Sequence, residues 1–187
     1  MALTTRNLLE KYSLLIGTLI CKGKKIDKFH PNDITFWSRG SNELTQIGEI
    51  IDIEKEDIKN WQVGSYVVKF KDDLVSTFEL YQMPHCCGIC VSTASNVAKS
   101  YQRMGIATCL NALRQDVASL LGYSLLLCTD CDGNEAQRKV LKNNDWNVRF
   151  VVNPAFDNKV QKDIFSFINR RTGNKLNISV KKIPKNI

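Results

Sequence analysis

The strongest constraint on the fold is an alternation of strand-like and helix-like segments in the second half of the chain. Residues 106–121 carry apolar side chains at helical spacing, which predicts an amphipathic helix that ends at Gly122. The flanking segments are rich in small, β-branched or apolar residues, which predicts strands. Another helix and another strand follow, so the predicted order is strand, helix, strand, helix, strand: 86–97, 106–121, 123–128, 135–143 and 148–152. This order is typical of an α/β domain.

The first part of the chain gives shorter patterns. Residues 5–21 have apolar side chains at helix-like spacing, with a strand near 13–21 as the competing interpretation. A short acidic helix is expected over 52–61. Residues 22–48 give no clear prediction.

Two β-hairpins are predicted from pairs of strand-forming runs that flank turn sequences. Their strands are expected at 65–71, 74–81, 163–169 and 175–182. No internal repeat and no linker separates the predicted elements. The sequence therefore predicts one domain over residues 1–187, a length at which about 70% of the unfolded surface can be buried.

The composition excludes several classes of protein. Hydrophobic residues make up 43% of the chain and charged residues 24%, which excludes a disordered, collagen-like or small disulfide-scaffold protein. The apolar runs are too short to span a membrane, and the beginning of the sequence lacks a signal-peptide pattern. An odd number of cysteines, seven, is typical of intracellular thiols. These features predict a cytoplasmic protein without a membrane partner.

The net charge of +7 is unevenly distributed along the sequence. Both ends are basic, and residues 159–187 hold eight Lys or Arg against Asp163 alone. Residues 41–60 are acidic instead. This distribution fits an anionic partner, either nucleic acid or a phosphorylated cofactor. A soluble surface with basic ends is the alternative.

Two Cys-x-x-Cys pairs are candidate zinc ligands. They are Cys87 with Cys90 and Cys128 with Cys131, and four thiolates are a common zinc ligand set. The predicted strands place the first pair early on one strand and the second pair at the far end of its neighbour. Because residues in a strand are about 3.3 Å apart, one tetrahedral zinc ion cannot reach all four sulfur atoms. The sequence therefore favours free thiols and no metal.

A turn between the predicted strand 86–97 and the helix 106–121 is suited to binding phosphate. It has the sequence Gln-Arg-Met-Gly-Ile-Ala over residues 102–107. The first amides of a helix are unpaired and lie at the positive end of its dipole. Gly105 lets the backbone approach a ligand closely, and Arg103 adds a positive charge. An ordinary tight turn is the alternative.

The same turn resembles the main motif of the GNAT acetyltransferase superfamily, Gln/Arg-x-x-Gly-x-Gly/Ala. The motif stands here as Gln102, Gly105 and Ala107. Val97 and Tyr101 match the residues that usually precede it.

This resemblance covers residues 86–182, and residues 1–85 only by the type of element. Asn134 opens a helix at the position expected for the family. The implied fold is an α/β fold with a mixed central sheet, in which two parallel strands splay apart and helices flank the sheet. The character of the chain also resembles that of virus-encoded members, including phage proteins, which would place it in the host cytoplasm.

The resemblance implies that the protein binds acetyl-CoA or a related acyl-CoA. The backbone around Val97–Lys99 would pair with the pantetheine arm in the wedge between the splayed strands. Asn134 would contact the cofactor or a bound water. An acceptor amine would attack the thioester carbonyl while a strand amide supports the oxyanion. The amides of residues 103–107 would hold the pyrophosphate, and the motif residues expected to bind the cofactor are Gln102, Arg103, Met104, Gly105, Ile106 and Ala107.

The sequence departs from the family at both of its usual catalytic positions. Leu141 stands where many members carry a Tyr that protonates the leaving thiolate, and Val91 stands where a Glu general base often lies. A thiolate can leave without an acid and an exposed amine can lose its proton to water, so catalysis is not excluded. The catalytic residues stay unknown, and the remaining candidates, each with a structural or solvated role as the alternative, are Glu79, His85 and Asp130.

Three functions are compatible with these observations. The first is an N-acetyltransferase acting on an amine of a small molecule or a protein, with an acceptor wall supplied by residues 35–62. The second is acyl-CoA-dependent modification of a nucleic-acid base, as in Mom-type DNA-modifying enzymes, which the charge of +7 fits. The third is a non-catalytic binding protein with a degenerate GNAT fold, which the missing Tyr and Glu favour.

Overall fold

The computed structural model describes residues 5–39, 44–46, 65–83, 86–130, 134–146, 148–152 and 176–183. They form three α-helices, which are α1 (Thr5–Lys24), α2 (Ile106–Leu120) and α3 (Glu135–Asn143). They also form eight strands, which are β1 (Ile34–Arg39), β2 (Leu44–Gln46), β3 (Ser65–Phe70), β4 (Asp73–Met83), β5 (Cys86–Val97), β6 (Leu125–Asp130), β7 (Val148–Val152) and β8 (Leu176–Lys182). Short 3₁₀ turns occur at Pro31–Asp33 and Lys99–Tyr101.

The eight described strands form one sheet in the order β2-β1-β3-β4-β5-β6-β8-β7. Strands β5 and β6 are parallel, whereas the other neighbouring pairs in the described sheet are antiparallel. Strand β8 lies between β6 and β7, although it follows both of them in the sequence. A mixed sheet with flanking helices confirms the predicted fold class.

The main core lies between the helices and one face of the sheet, called here the helix-side face. Helix α1 contributes Leu8, Ile16 and Ile20, all without measurable exposure. Leu110 from α2 and Leu141 from α3 belong to the same buried cluster. The opposite face carries a smaller buried cluster, formed by Met83, Val91, Leu127 and Ile178.

Helices α1 and α2 are joined by a polar contact at the rim of this core. The Tyr12 hydroxyl donates to Oδ2 of Asp116 over 2.8 Å, and Nζ of Lys11 lies 3.0 Å from the same oxygen. Burial raises the pKa of Tyr12 well above its usual value, and the charge of Asp116 and the hydrogen bond to it raise it further. The Tyr12 hydroxyl therefore stays protonated while it holds the two helices together.

Most predicted elements of the second half have the expected bounds. The helices at 106–121 and 135–143 and the strands at 86–97 and 148–152 are confirmed to within a residue. Residues 5–21 form a helix, so the competing strand near 13–21 is wrong.

Of the remaining predictions, some are confirmed and others lie outside the described residues. The first hairpin is confirmed, with its turn at Lys71 and Asp72. Strand β8 confirms the last predicted strand, whereas its expected hairpin partner at 163–169 and the acidic helix at 52–61 lie outside the described residues. Residues 22–48, which gave no clear prediction, contain β1 and β2. The assignment of 1–187 to one domain stays a prediction.

Candidate functional site

The parallel strands β5 and β6 separate partway along their length and leave a fork between them. They are paired from Ile89 with Leu125 to Ser92 with Cys128. Beyond this point β5 is paired with β4 alone, and β6 continues along β8. The backbone N–H and C=O groups of β5 that face the fork therefore have no partner among the described strands on that side.

A β-bulge re-aims β5 at the level where the fork opens. Thr93 pairs with Glu79 and Asn96 pairs with Thr77, so two residues of β5 oppose the single residue Phe78 of β4. A bulge of this kind increases the local twist and turns the strand away from its neighbour. The splayed parallel pair implied by the sequence resemblance is therefore present, with the bulge as its local cause.

Strand β5 leads into a tight turn that begins α2. Gly105 occupies the N-cap position of α2 with φ of 85°, in the left-handed region. Arg103 is also left-handed, with φ of 63°. The first helical hydrogen bond runs from the Cys109 amide to the Gly105 carbonyl over 3.2 Å. The amides of Ile106, Ala107 and Thr108 precede it and have no carbonyl partner within the helix, as at any helix start.

Gly105 has a backbone conformation that favours glycine. A Cβ built on Gly105 would lie 3.5 Å from Cδ2 of Leu19 in α1, at ordinary contact distance. The left-handed φ, in contrast, is costly for a residue with a side chain. The left-handed conformation therefore gives a reason for glycine here, and the expected close approach of a ligand to Gly105 stays a prediction.

The last turn of α1 holds the turn at residues 102–107 in place. A Cβ on Gly23 would lie 2.6 Å from Cγ and Sδ of Met104, so the Met104 side chain packs directly over this glycine. Nζ of Lys24 lies 3.7 Å from the centre of the Tyr101 ring, and the Tyr101 hydroxyl donates to Oδ2 of Asp73 over 3.1 Å. The Met104 side chain therefore serves as an anchor, and the turn offers its backbone to a ligand.

Two cationic side chains are exposed at this turn, and the motif side chain of Gln102 is hydrogen-bonded within it. Lys99 and Arg103 are exposed beside the start of α2. Nε2 of Gln102 donates to the Val97 carbonyl over 2.9 Å and closes the turn onto the end of β5. The turn therefore brings two cations and the first α2 amides to the end of the fork.

The Asn134 side chain caps helix α3. Its Oδ1 accepts a hydrogen bond from the Gln137 amide over 3.1 Å, which caps the N-terminus of α3. Its side chain is exposed. The expected cofactor contact of Asn134 stays a prediction.

A buried polar cluster, which the sequence analysis did not predict, lies where the fork begins. Nη1 of Arg114 in α2 donates to Oγ of Ser92 over 2.7 Å, and Nε2 of Gln137 in α3 lies 3.1 Å from Sγ of Cys128. Ser92, Arg114 and Cys128 are each no more than 2% exposed. The signal that could have found Arg114 is its place four residues after Leu110 and three before Val117, on the buried side of α2.

The candidate acid–base residues are distributed unevenly. Val91 and Leu141 are buried and apolar, so neither usual catalytic position carries a proton-transfer group. Glu79 lies on β4 beside the bulge, and its Oε2 accepts a hydrogen bond from the Tyr81 hydroxyl over 2.7 Å. Both Glu79 and Tyr81 are partly exposed on the face opposite the helices.

Other candidates fall outside the described side chains. His85 and the Asp130 side chain are among them, as are Glu43, Glu49 and Trp61 of the expected acceptor wall. Trp37 is described and lies on β1, with Nζ of Lys69 5.6 Å from the centre of its ring. Its indole Nε1 donates to Oγ1 of Thr35 over 2.8 Å.

The described cysteine side chains form no disulfide and lie on different parts of β5, β6 and the helices. Cys90 is level with Leu126, and Cys128 is level with Ser92. No group of three or more His, Cys, Asp or Glu side chains within the described ranges could hold a metal ion. Cys131 lies outside those ranges.

The described helices include none that is long and apolar enough to cross a lipid bilayer.

No protein-family model matches the chain, and no curated protein matches it in sequence. The structure is similar to that of a GNAT-family acetyltransferase from Elizabethkingia anophelis with acetyl-CoA bound, at a TM-score of 0.53 and 14% identity, over 81% of this chain and 99% of that chain. It is also similar to an IAA acetyltransferase from Bacillus cereus, at a TM-score of 0.54 and 12% identity, over 80% and 99% of the two chains. The chain therefore has the fold of the GNAT acetyltransferases.

Proposed function

We propose that the protein binds acetyl-CoA and transfers the acetyl group to an amine. The single observation that carries this proposal is the fork between β5 and β6 that leads, through the left-handed Gly105, into the N-terminus of α2. The fork offers unpaired strand amides and carbonyls, and the helix start offers unpaired amides. A pantetheine arm carries the matching amide groups and ends in a pyrophosphate at its other side.

The N-terminus of α2 is suited to the pyrophosphate of acetyl-CoA. The α2 amides of Ile106 and Ala107 point toward the turn, and the helix dipole favours negative charge there. Lys99 and Arg103 are exposed at the same place, so each adds a positive charge within reach of a pyrophosphate. Acetyl-CoA bound along the fork would place its thioester near the point where β5 and β6 meet, beside Ser92.

The chemistry requires a nucleophilic amine and support for the oxyanion. Glu79 supplies the base in this proposal, because its carboxylate lies on β4 directly beside Thr93, the first β5 residue of the fork. The Tyr81 hydroxyl donates to Glu79 and keeps the carboxylate oriented. Unpaired β5 amides in the fork would hydrogen-bond the oxyanion as charge develops on the thioester oxygen.

An amine is the favoured acceptor because attack on a thioester needs a nucleophilic nitrogen. The acidic segment 41–60 in the sequence would attract an amine in its charged form. No comparable feature of the described residues favours nucleic acid, and binding of duplex DNA is tested as the alternative.

Binding is tested by thermal unfolding with acetyl-CoA and, separately, with duplex DNA. A ligand at 100 times its dissociation constant stabilises the fold by about 2.7 kcal/mol. We expect this stabilisation with acetyl-CoA, its loss in Arg103→Glu, and its retention in Lys142→Glu, which makes the same charge change on exposed α3. Absence of any shift at millimolar acetyl-CoA, or a shift with DNA alone, would reject the proposal.

The catalytic role of Glu79 is tested separately with Glu79→Gln. This variant should keep the acetyl-CoA-dependent shift and lose transfer to an amine library by about 100-fold or more, the range for a general base. Tyr81→Phe removes only the orienting hydroxyl and should cost less. Undiminished transfer by Glu79→Gln would assign proton removal to water or to another group.

A further inference from the structure

The buried cluster at the start of the fork contains a cation without an acidic partner among the described side chains. Arg114 is 1% exposed and lies in the middle of α2. Its Nε donates to the Leu110 carbonyl and its Nη1 donates to Ser92, whereas its Nη2 has no hydrogen-bond acceptor within bonding geometry in the described part of the chain. None of the ion pairs formed by described side chains includes Arg114. A guanidinium removed from water in this way needs a negative charge nearby.

The sulfur of Cys128 is placed to supply that charge. Burial lowers the pKa of Arg114, whereas the charge of Cys128 and a hydrogen bond to it raise that pKa. Nε2 of Gln137 donates to Sγ of Cys128 over 3.1 Å. Gln137 lies in the first turn of α3, where the helix dipole also favours an anion. An arginine and a helix N-terminus are both surroundings that favour the thiolate form of a cysteine.

Cys90 shows what burial does to a thiol without such partners. It lies two residues before Ser92 on β5 and faces the same core as Cys128. Burial raises the pKa of the Cys90 thiol to about 12, so it is neutral. The two buried thiols of the fork strands therefore differ in their surroundings, because Cys128 accepts a hydrogen bond from Gln137 and interacts with the charge of Arg114.

Cys128 is also the last residue of β6 that pairs with β5 before the strands separate. An acyl-CoA lying in the fork would bring its thioester to this point. We propose that Cys128 is a nucleophile that accepts the acyl group from acyl-CoA, with Arg114 and Gln137 as its positioning residues. This inference rests on the proposed binding of acetyl-CoA and adds a covalent intermediate to it.

The step is a thioester exchange, and it needs no oxidant or reductant. The Cys128 thiolate attacks the carbonyl carbon of the CoA thioester, and a new carbon–sulfur bond forms. The bond to the CoA sulfur breaks, and CoA leaves as a thiolate that takes a proton from water. The acceptor amine then attacks acetyl-Cys128 and loses a proton, and Cys128 leaves as the thiolate that pairs with Arg114 again.

The burial of Cys128 gives the test its selectivity. Cys128 is 2% exposed, so the acyl donor has to reach it through the fork, whereas Cys87 is exposed to solvent. The whole protein is incubated with acetyl-CoA without an acceptor, quenched in acid, digested and analysed by mass spectrometry. A parallel sample is treated with iodoacetamide. We expect the acetyl group on Cys128 and the alkyl group on Cys87. Acetyl groups on Cys87 alone, or on no cysteine, would overturn the proposal.

Variants separate the nucleophile from its surroundings. Cys128→Ala should lose the acetyl label and the acetyl transfer while keeping the acetyl-CoA-dependent thermal shift, and Cys90→Ala, the matched buried thiol, should keep all three. Full transfer by Cys128→Ala would overturn the intermediate. No thermal shift in the unmodified protein would instead reject the proposed function on which it rests.

The positioning role of Arg114 is tested by rescue. Arg114→Met removes the charge at similar volume and should lose the label, and Arg114→Lys should restore much of it. Equal labelling in a folded Arg114→Met protein would contradict the role of the cation. Should Arg114→Met fail to fold, Gln137→Leu tests the same thiolate from α3, and unchanged labelling there would count against the proposal.

Discussion

Replacing Gly105 by Ala tests how much the left-handed backbone conformation of the turn at residues 102–107 costs a residue with a side chain. The new Cβ would lie 3.5 Å from Cδ2 of Leu19 and 3.9 Å from its Cδ1, so it adds contact and no clash. The cost comes from φ of 85°, where a residue with a side chain loses about 1–2 kcal/mol relative to glycine. The variant should therefore fold, with a loss of stability set by the left-handed conformation.

Gly122→Ala is the matched control for this change. Gly122 has φ of 82°, and a Cβ there would meet nothing within 4 Å. For a chain of this length, a loss of 1–2 kcal/mol lowers Tm by roughly 2–8 °C, so both variants should fall in that range. Calorimetry or chemical denaturation measures both losses. A much larger loss in Gly105→Ala would mean that Leu19 cannot yield, and no loss would mean that the turn has another conformation.

The two variants should differ in their response to acetyl-CoA. Gly122 lies after α2, away from the turn, so Gly122→Ala should keep the full ligand-dependent rise in Tm. Gly105→Ala should lose part of that rise, because relief of the strain rotates the amides that begin α2. An equal rise in both variants would show that these amides do not hold the ligand.

Two further predictions concern α1. Tyr12→Phe should cost about 0.5–1.5 kcal/mol at neutral pH through the lost hydrogen bond to Asp116. Because the pKa of Tyr12 is raised in the folded state, the unmodified protein should lose stability as pH rises above the ordinary tyrosine pKa of 10.0, and Tyr12→Phe should lose less, as pH-dependent denaturation can show. Gly23→Ala should destabilise the fold through the contact with Met104 and cost little in a Met104→Ala background, which a double-mutant cycle measures.

The periodicity of apolar residues was enough to predict the helices that bury one whole face. Helix α2 has apolar residues at each turn, and its end at Gly122 follows from the left-handed conformation that glycine tolerates. The strand character of β5 and β6 came from their composition, and their parallel pairing followed from the helix between them. The fork itself came from the family resemblance and not from any pattern in β5 or β6.

Strand β1 and the burial of Arg114 were not predicted, because their sequence patterns are short or mixed. Strand β1 alternates Ile34 and Phe36 toward the core with Thr35 and Trp37 on the other face, but six residues in a charged surrounding gave too little signal. Arg114 was missed because a charged residue in an amphipathic helix ordinarily faces water. Its burial depends on Ser92 from β5 and Cys128 from β6, which lie far from it in sequence.

The conformation of the turn at residues 102–107 depends on residues outside its six-residue motif, so the motif alone is weak evidence for this conformation. Arg103 and Gly105 are both left-handed, and such a conformation costs a non-glycine residue about 1–2 kcal/mol, so Arg103 is not held there by its own preference. Met104 lies between them and packs over Gly23, and Tyr101 is covered by Lys24. The last turn of α1 therefore offsets the strain of a turn that belongs to the β5–α2 connection. A chain with the same six-residue motif but a larger residue at position 23 would not hold the turn in this way, because the side chain of Met104 would have no place to pack.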